Sequence, residues 1–544
     1  MLRLIPTDIA ATPFDAIIIG AGINGAGIAR DAAMRGLRVL LLDKADISSG
    51  TSSWSSRLIH GGLRYLEHFE IGLVRESLSE RKTLLRTAPH LVRPLPLMIP
   101  IYERGKRGKL MIRAGMILYD ALSFDKSLAR HRMLSRVETL RRAPGLEPDG
   151  LRGAAVYYDA QVEFAERLVV ENALSASEHG ATVLTYARVE RLIIENDAVC
   201  GVEFTDTLHE GVYQARASVT LNVAGPWVDR VLAGTNRTST RLLGGTKGSH
   251  LIVDAFDGAP AAALYVEAVE DGRPFFILPW NGRYLIGTTD RRFEGDLDLV
   301  EASEDETDYL LRETNRVIPS AKLTRDHILY TYSGVRPLPF VQDEAESGIT
   351  RRHFIHDHAP ALKNFLSIVG GKLTTYRSLS EQAVNIIFKK LEREPVACLT
   401  ARRSLSGAAT DNFKAFSAEF GKSKSEISEA ALERLLRIYG TRAVEVLKLV
   451  EEDAELAQSF DAETGAIGAE IVLAFRTEMA ETLSDSLLRR TMVGLNSAAG
   501  LNAIEAAARV AREHLGWTED HAAQEVAAYR DYVRRFHPES LKKD

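Results

Sequence analysis

A chain of 544 residues is too long for one ordinary hydrophobic core, so about three structural units are expected. Its 45% hydrophobic and 26% charged residues exclude a mainly disordered or fibrous protein, and a net charge of −6 gives no nucleic-acid signature. Two cysteines, Cys200 and Cys398, are too few for a disulfide framework or a cysteine-ligated metal centre, which points to a reducing compartment.

Residues 1–13 lack a basic stretch followed by a long apolar run, so no secretory signal is expected. No later stretch approaches the ~18 apolar residues of a membrane-spanning helix, so any membrane contact is expected at the surface. The first strong signal is Asp15-Ala-Ile-Ile-Ile-Gly20-Ala-Gly22-Ile-Asn-Gly25-Ala-Gly27. Residues 16–19 read as a strand buried on both faces, and Gly20, Gly22 and Gly25 then supply Gly-x-Gly-x-x-Gly. A tight turn needs the first glycine, a pyrophosphate pressed on the backbone needs the second, and close packing of helix on strand needs the third. A helix over residues 23–35 offers its N-terminus to the phosphates, and Gly36 ends it. Residues 37–42 read as a second buried strand, with Asp43 at its end to accept from the ribose hydroxyls of an adenosine.

The hydroxyl-rich run Gly50-Thr51-Ser52-Ser53-Trp54-Ser55-Ser56 can wrap a pyrophosphate and its polyol chain with backbone and hydroxyl donors. It leads directly into His60, Gly61, Gly62, Arg64 and Tyr65. Residues 69–91 show a helical pattern that Pro94, Pro96 and Pro100 break. The segment from Tyr102 to Arg113 carries Arg104, Lys106, Arg107, Lys109 and Arg113 against Glu103, and runs into apolar Met116-Ile-Leu-Tyr119. Such a pattern suits either the headgroup zone of an anionic bilayer or a solvated loop leading into a core helix.

A helix over residues 164–179 ends at Gly180, strands follow at 182–186, 189–195 and 199–205, and 219–227 returns the chain to the first sheet. From 244 to 338 the pattern changes to short apolar alternations, read as an antiparallel sheet that roofs a pocket and carries Lys247, His250 and Arg336. An apolar strand at 365–369 and Gly370-Gly371-Lys372-Leu373-Thr374-Thr375 repeat the opening grammar of strand, glycine turn and helix, bringing a second helix N-terminus toward the cofactor. Beyond Thr400 the pattern is helical nearly throughout and carries no catalytic constellation.

These stretches resemble the FAD-dependent glycerol-3-phosphate dehydrogenases of the glycine-oxidase-like flavoprotein superfamily. The resemblance rests on Gly20 to Gly27, on Thr51-Ser-Ser-Trp-Ser-Ser-Arg-Leu-Ile-His60-Gly-Gly-Leu-Arg-Tyr-Leu-Glu-His68, on Ala224-Gly225-Pro226-Trp227, on Lys247 to His250, on Tyr332 to Leu338 and on Gly370 to Tyr376. It implies an α/β fold: a Rossmann-like, glycine-oxidase-like FAD-binding domain, an antiparallel-sheet substrate domain and a C-terminal all-helical domain. The chain divides accordingly into FAD-binding pieces at 1–90, 156–243 and 341–398, a cap with the membrane-facing segment at 91–155, a substrate sheet at 244–340 and the helical tail at 399–544. Asp43 stands where a Glu is also used for the ribose, and Trp54 fills a spot often held by a small residue.

The resemblance further implies oxidation of sn-glycerol 3-phosphate to dihydroxyacetone phosphate, with electrons passed to a membrane quinone by a protein attached to the cytoplasmic face of the membrane. A homodimer is left open. Gly20, Gly22, Gly25, Asp43, Thr51, Ser52, Ser53, Ser56, His60, Gly61, Gly62, Ala224, Gly225, Gly371, Lys372, Leu373 and Thr374 are the expected cofactor contacts. A small dianionic substrate needs fixed positive charge, for which Arg64, Arg336, Arg351 and Lys372 are the candidates, with Tyr65 beside them. His250 is the first choice for the base that takes the C2 hydroxyl proton, with His60 and Arg336 as alternatives. Rival readings are a dioxygen-using oxidase of glycerol 3-phosphate, an amine oxidase of the same superfamily, a non-catalytic nucleotide-binding module and an NAD-dependent dehydrogenase. The converging cations disfavour the amine oxidase and the non-catalytic module, and the late glycine turn disfavours the NAD enzyme.

Overall fold

The computed structural model describes residues 6–67, 69–103, 105, 107–123, 128–235, 241–341, 349–422 and 427–537. His68, Arg104 and Lys106, each part of a stretch read above, lie outside the described residues.

The first sheet is built on Pro13–Ile19, whose apolar residues are buried on both faces as an all-parallel core requires. Its parallel order runs Phe365–Val369, Gly211–Asn222, Pro13–Ile19, Val39–Leu42, Thr182–Leu184. Phe354–Asp357 adds an antiparallel edge, and Ala187–Glu195 and Ala198–Asp206 form a meander attached to Gly211–Asn222. The Ile23–Met34 helix packs on both Ala165–Glu178 and Tyr376–Lys390, so the chain's start, middle and return share one core.

The second sheet is larger than the pattern over 244–338 suggests. Among the described residues it has ten strands, with Val92–Tyr102 and Leu151–Val162 joined to Thr246–Val253, Ala263–Glu267, Pro274–Trp280, Arg283–Gly287 and Ile328–Arg336. The prolines that end the preceding helix therefore sit inside a strand. Pro94, Pro96 and Pro100 are all at even positions, so their missing N–H groups fall on one edge of the strand and the other edge keeps its donors. Leu151–Val162 runs across residue 156, where the sequence pattern placed a change of domain.

The tail docks on both sheets. Its helices, including Glu429–Tyr439, Gly468–Thr477, Ile504–Leu515 and Glu519–Val533, enclose one short hairpin of Ser459–Asp461 and Ala466–Ile467. The Tyr330 hydroxyl donates to the Leu495 carbonyl at 3.1 Å, and Trp54 lies 5.0 Å from Phe536 and 5.6 Å from Tyr332, ring centre to ring centre. Trp54 is thus the wedge between the hydroxyl-rich loop, the second sheet and the tail.

Buried charge completes the docking. Asp46, three residues past Asp43, accepts from Arg489 Nε at 2.5 Å and from both terminal nitrogens of Arg490 at 2.8 Å. Arg489 also donates to Asp485, which accepts from the Tyr186 hydroxyl at 2.7 Å. A second cluster sets Arg167 and Arg442 on the Glu478 carboxylate, and these arginines pull that carboxyl down to about 2 against the opposing effect of burial.

Candidate functional site

A cleft of about 1510 Å³ lies between the two sheets, lined at one end by the first strand's glycine turn and at the other by basic residues from the second sheet and the returning chain. At the nucleotide end, Gly20 has φ +111° and a Cβ placed on it would meet the Val223 carbonyl oxygen at 2.5 Å. A Cβ on Gly25 would lie 1.8 Å from the Gly20 carbonyl oxygen, so helix and strand approach as closely as they do only because residue 25 has no side chain. The Ile23 N–H, at the start of the helix, donates to Ser52 Oγ at 3.0 Å.

Asp43 accepts from the Ala21 N–H at 2.6 Å and the Ala45 N–H at 2.9 Å, which leaves acceptor capacity on both carboxylate oxygens at the cleft wall. Burial pushes its carboxyl up to about 6, an environment that partner hydroxyls would relieve. Two further wall atoms, Asn24 Oδ1 and Trp227 Nε1, are buried without a hydrogen-bond partner. The elongated cleft, the cradle at Gly25, the under-used carboxylate and these polar atoms fit a dinucleotide such as FAD. Lys44 stands over the Trp227 ring at 4.3 Å at the same end.

The hydroxyl-rich loop forms the middle of the wall. Thr51 Oγ1 donates to the Val335 carbonyl at 2.7 Å, tying the loop to the second sheet. Arg57, fully buried, pairs both terminal nitrogens with Glu166 at 2.7 Å and donates to the Ser53 carbonyl at 3.1 Å. The His60 N–H donates to Thr374 Oγ1 at 3.2 Å, which joins the loop to the returning glycine turn. Arg57 carried no signal of this role in the sequence, because its partner is 109 residues away.

At the far end Arg64, Tyr65, Arg336, Arg351 and Lys372 line one volume. The Lys372 ammonium stands 4.4 Å over the Tyr65 ring and donates to Ser77 Oγ at 3.2 Å, and burial pushes it down to about 8. Arg336 Nη1 and Arg351 Nη2 reach the two oxygens of Asp290 at 3.0 and 2.9 Å. Asp290, just past the Arg283–Gly287 strand, is not among the residues that sequence reasoning singles out. Lys247 points elsewhere, to Glu306 at 2.7 Å and the Glu301 carbonyl at 2.8 Å.

The two histidines differ in access. His60 lines the cleft, 6.5 Å from the Phe276 ring, and burial pushes its imidazole down to about 4, so it is neutral at ordinary pH. His250 does not line it: the ring is buried against Tyr332 at 4.8 Å, with Nε2 on Ser56 Oγ at 2.9 Å. Burial, then Arg336 and Arg57, hold His250 well below the usual histidine range. The expectation that His250 faces the cofactor directly is therefore replaced by one in which Ser56 faces the cleft and His250 stands behind it. Gly25, Ser53 and Gly61 likewise support the wall from behind, while Gly20, Gly22, Thr51, Ser52, Ser56, Gly62, Ala224, Gly225, Gly371, Leu373 and Thr374 line it. The Gly61 N–H reaches the Tyr119 hydroxyl at 3.0 Å and Asp159 at 3.3 Å, in a buried network closed by Arg81.

Comparison with known proteins identifies the family. Residues 15–377 match the FAD dependent oxidoreductase family and residues 398–522 match the C-terminal domain of alpha-glycerophosphate oxidase. Glycerol-3-phosphate dehydrogenase of Synechocystis sp. is 46% identical over 97% of this chain and 98% of its own, and aerobic glycerol-3-phosphate dehydrogenase of Staphylococcus aureus is 34% identical over 88% and 86%. The crystal structure of glycerol-3-phosphate dehydrogenase from Bacillus halodurans complexed with FAD superposes with a TM-score of 0.79 at 28% identity, covering 98% of this chain and 96% of that one.

Proposed function

This chain belongs to the FAD-dependent glycerol-3-phosphate dehydrogenase family, and on that premise we propose that it oxidises sn-glycerol 3-phosphate to dihydroxyacetone phosphate and delivers the electrons to a membrane quinone. The observation that carries the substrate is the convergence of Arg64, Arg336, Arg351 and Lys372 at one end of a cleft whose other end fits FAD. Guanidinium forks and an ammonium match a phosphate dianion, and their common placement fixes which end of the substrate is held.

Bound FAD supplies the acceptor for the hydride that leaves C2. The phosphate rests on the cationic end, which orients the three-carbon chain toward the middle of the cleft. An imidazole nitrogen of His60, neutral and facing the cleft, takes the C2 hydroxyl proton as C2 becomes a carbonyl. Ser56, held by His250 Nε2, presents its hydroxyl to the same volume and fixes the wall beside that carbon. Thr374, tied to the His60 backbone, keeps the base and the returning turn in register.

Lys372 makes this reading pH-dependent with a defined sign. Its ammonium is present below about 8 and is lost as pH rises through that value, so kcat/KM for glycerol 3-phosphate is expected to fall above pH 8. Lys372→Arg, charged throughout, should retain its kcat/KM past pH 9 from whatever level it starts at. A wild-type profile flat to pH 10 would remove Lys372 from the phosphate site.

Support for the membrane and quinone comes from the Lys109–Leu122 helix. Leu110 is 83%, Met111 54%, Ile117 54% and Leu118 41% exposed, with Lys109 and Arg113 on the same segment. No helix among the described residues is long and apolar enough to cross a membrane, so this face would lie in the interface with its basic residues at the headgroups. The match of the tail to an alpha-glycerophosphate oxidase domain keeps dioxygen as the second acceptor to test. Enzyme reduced anaerobically with substrate should reoxidise within seconds on quinone-loaded anionic vesicles and slowly in air; fast reoxidation in air with no response to the vesicles would establish the oxidase instead.

A further inference from the structure

A carboxylate inside a pocket for a dianion is an electrostatic anomaly. Asp290 lines the cleft among Arg64, Arg336, Arg351 and Lys372, where its charge opposes the phosphate assigned to those residues. Its geometry gives the reason for its presence. One carboxylate oxygen receives Arg336 Nη1 at 3.0 Å and the other receives Arg351 Nη2 at 2.9 Å, so two guanidiniums from distant parts of the chain are held on a single group. Arg336 is fixed further by Nη2, which donates to Thr288 Oγ1 at 3.1 Å and to the Thr289 carbonyl at 3.3 Å. Asp290 is itself anchored, its carbonyl accepting from Arg273 at 2.5 Å.

Without the carboxylate these two like charges would repel at close range in a partly desolvated site. Burial raises the Asp290 carboxyl, but Arg336 and Arg351 outweigh it and hold it below the usual carboxylate range, so it stays ionised while the arginines are present.

We propose that Asp290 is a positioning residue for substrate phosphate: it clasps Arg336 and Arg351 into one anion-binding surface, so the pocket's affinity for phosphate depends on a negative charge placed inside it. The proposal rests on the reading of this end of the cleft as the phosphate site. It makes a prediction of sign. If Asp290 acted only through its charge, removing it would tighten anion binding. If it acts by clasping, removing it loosens binding, because the arginines separate and lose their shared orientation.

The test uses FAD-loaded Asp290→Asn, titrated with inorganic phosphate by the perturbation of the flavin absorbance, alongside steady-state kinetics with glycerol 3-phosphate. The dissociation constant for phosphate and KM should both rise about tenfold or more, with kcat within about threefold of wild type, and Asp290→Glu should recover part of the loss. Phosphate binding as tight as wild type or tighter, with KM unchanged or lowered, would overturn the proposal. Should Asp290→Asn lose FAD or unfold, Arg351→Lys provides the second route: it keeps the charge but not the fork, so it should weaken phosphate similarly, and unchanged binding there would equally overturn the clasp. Failure of phosphate to compete with substrate in the wild-type enzyme would instead defeat the site assignment itself.

Discussion

Arg336→Ala is expected to lower kcat/KM for glycerol 3-phosphate by about 100- to 1000-fold, chiefly through KM, while the purified protein keeps its FAD. The side chain is half-buried at the end of the Ile328–Arg336 strand, held by Asp290, Thr288 and the Thr289 carbonyl. Its loss removes one fixed positive charge from the phosphate end, and it also leaves Asp290 with one fewer counter-charge in the same volume. Both effects act on substrate binding. The cofactor end is untouched, since the glycine turn, Asp43 and the hydroxyl-rich loop draw their order from other partners. Arg336→Lys should recover only part of the loss, because an ammonium cannot reproduce the planar fork by which Arg336 holds Asp290 and Thr288 at once. Normal KM with full FAD content in Arg336→Ala would take this residue out of the site.

The largest effect on stability is expected at Asp46. Asp46→Ala should destabilise the protein by about 3–5 kcal/mol and lower Tm by about 3–4 °C in a thermal melt. The carboxylate is fully buried and receives three hydrogen bonds from Arg489 and Arg490, themselves almost without exposure. Truncation strands the Arg490 guanidinium between the first sheet and the tail and leaves Arg489 with Asp485 as its remaining carboxylate. The same pair gives a pH sign: Arg490 and Arg489 overcome the effect of burial and hold the Asp46 carboxyl below its usual range. Its stabilisation is therefore present above the ordinary carboxylate range and lost as pH falls through the lowered value. FAD retention should fall in the same variant, because Asp46 and Asp43 share one turn. A melt within about 1 °C of wild type, about 1 kcal/mol or less, would mean that the tail is held by its apolar contacts alone.

How much of this was legible in the sequence depends on how local each cause is. The opening strand, the glycines and Asp43 lie within about 30 residues of one another, and their spacing alone implies the turn, the helix and the acceptor at the strand end. FAD and the family followed from that grammar and its later echoes, and the matched families and relatives agree. The second sheet was legible only where apolar residues alternate. Val92–Tyr102 was missed because three prolines mark a breaker locally, while its strand state is decided by pairing with Leu151–Val162 far along the chain.

The site divides in the same way. Residue types that bind phosphate could be named from glycine-rich settings, and the structure gathers Arg64, Arg336, Arg351 and Lys372 at one end of the cleft. Which of two histidines faces that cleft could not be read, since it depends on His250 lying in register with Tyr332 and Gly287 and bonding back to Ser56. Asp290 was passed over because a carboxylate among cations contradicts the simple charge argument until its two partners are seen. The docking of the tail was invisible for a related reason: Asp46 and its arginines are more than 440 residues apart, and each alone reads as a surface charge.

The most direct test of the central claim is the visible spectrum of the purified, FAD-loaded protein under anaerobic conditions before and after addition of sn-glycerol 3-phosphate. The flavin band should bleach promptly with this substrate and remain with glycine, sarcosine or lactate. A yellow protein that glycerol 3-phosphate leaves unbleached would contradict the proposed reaction, whatever its fold.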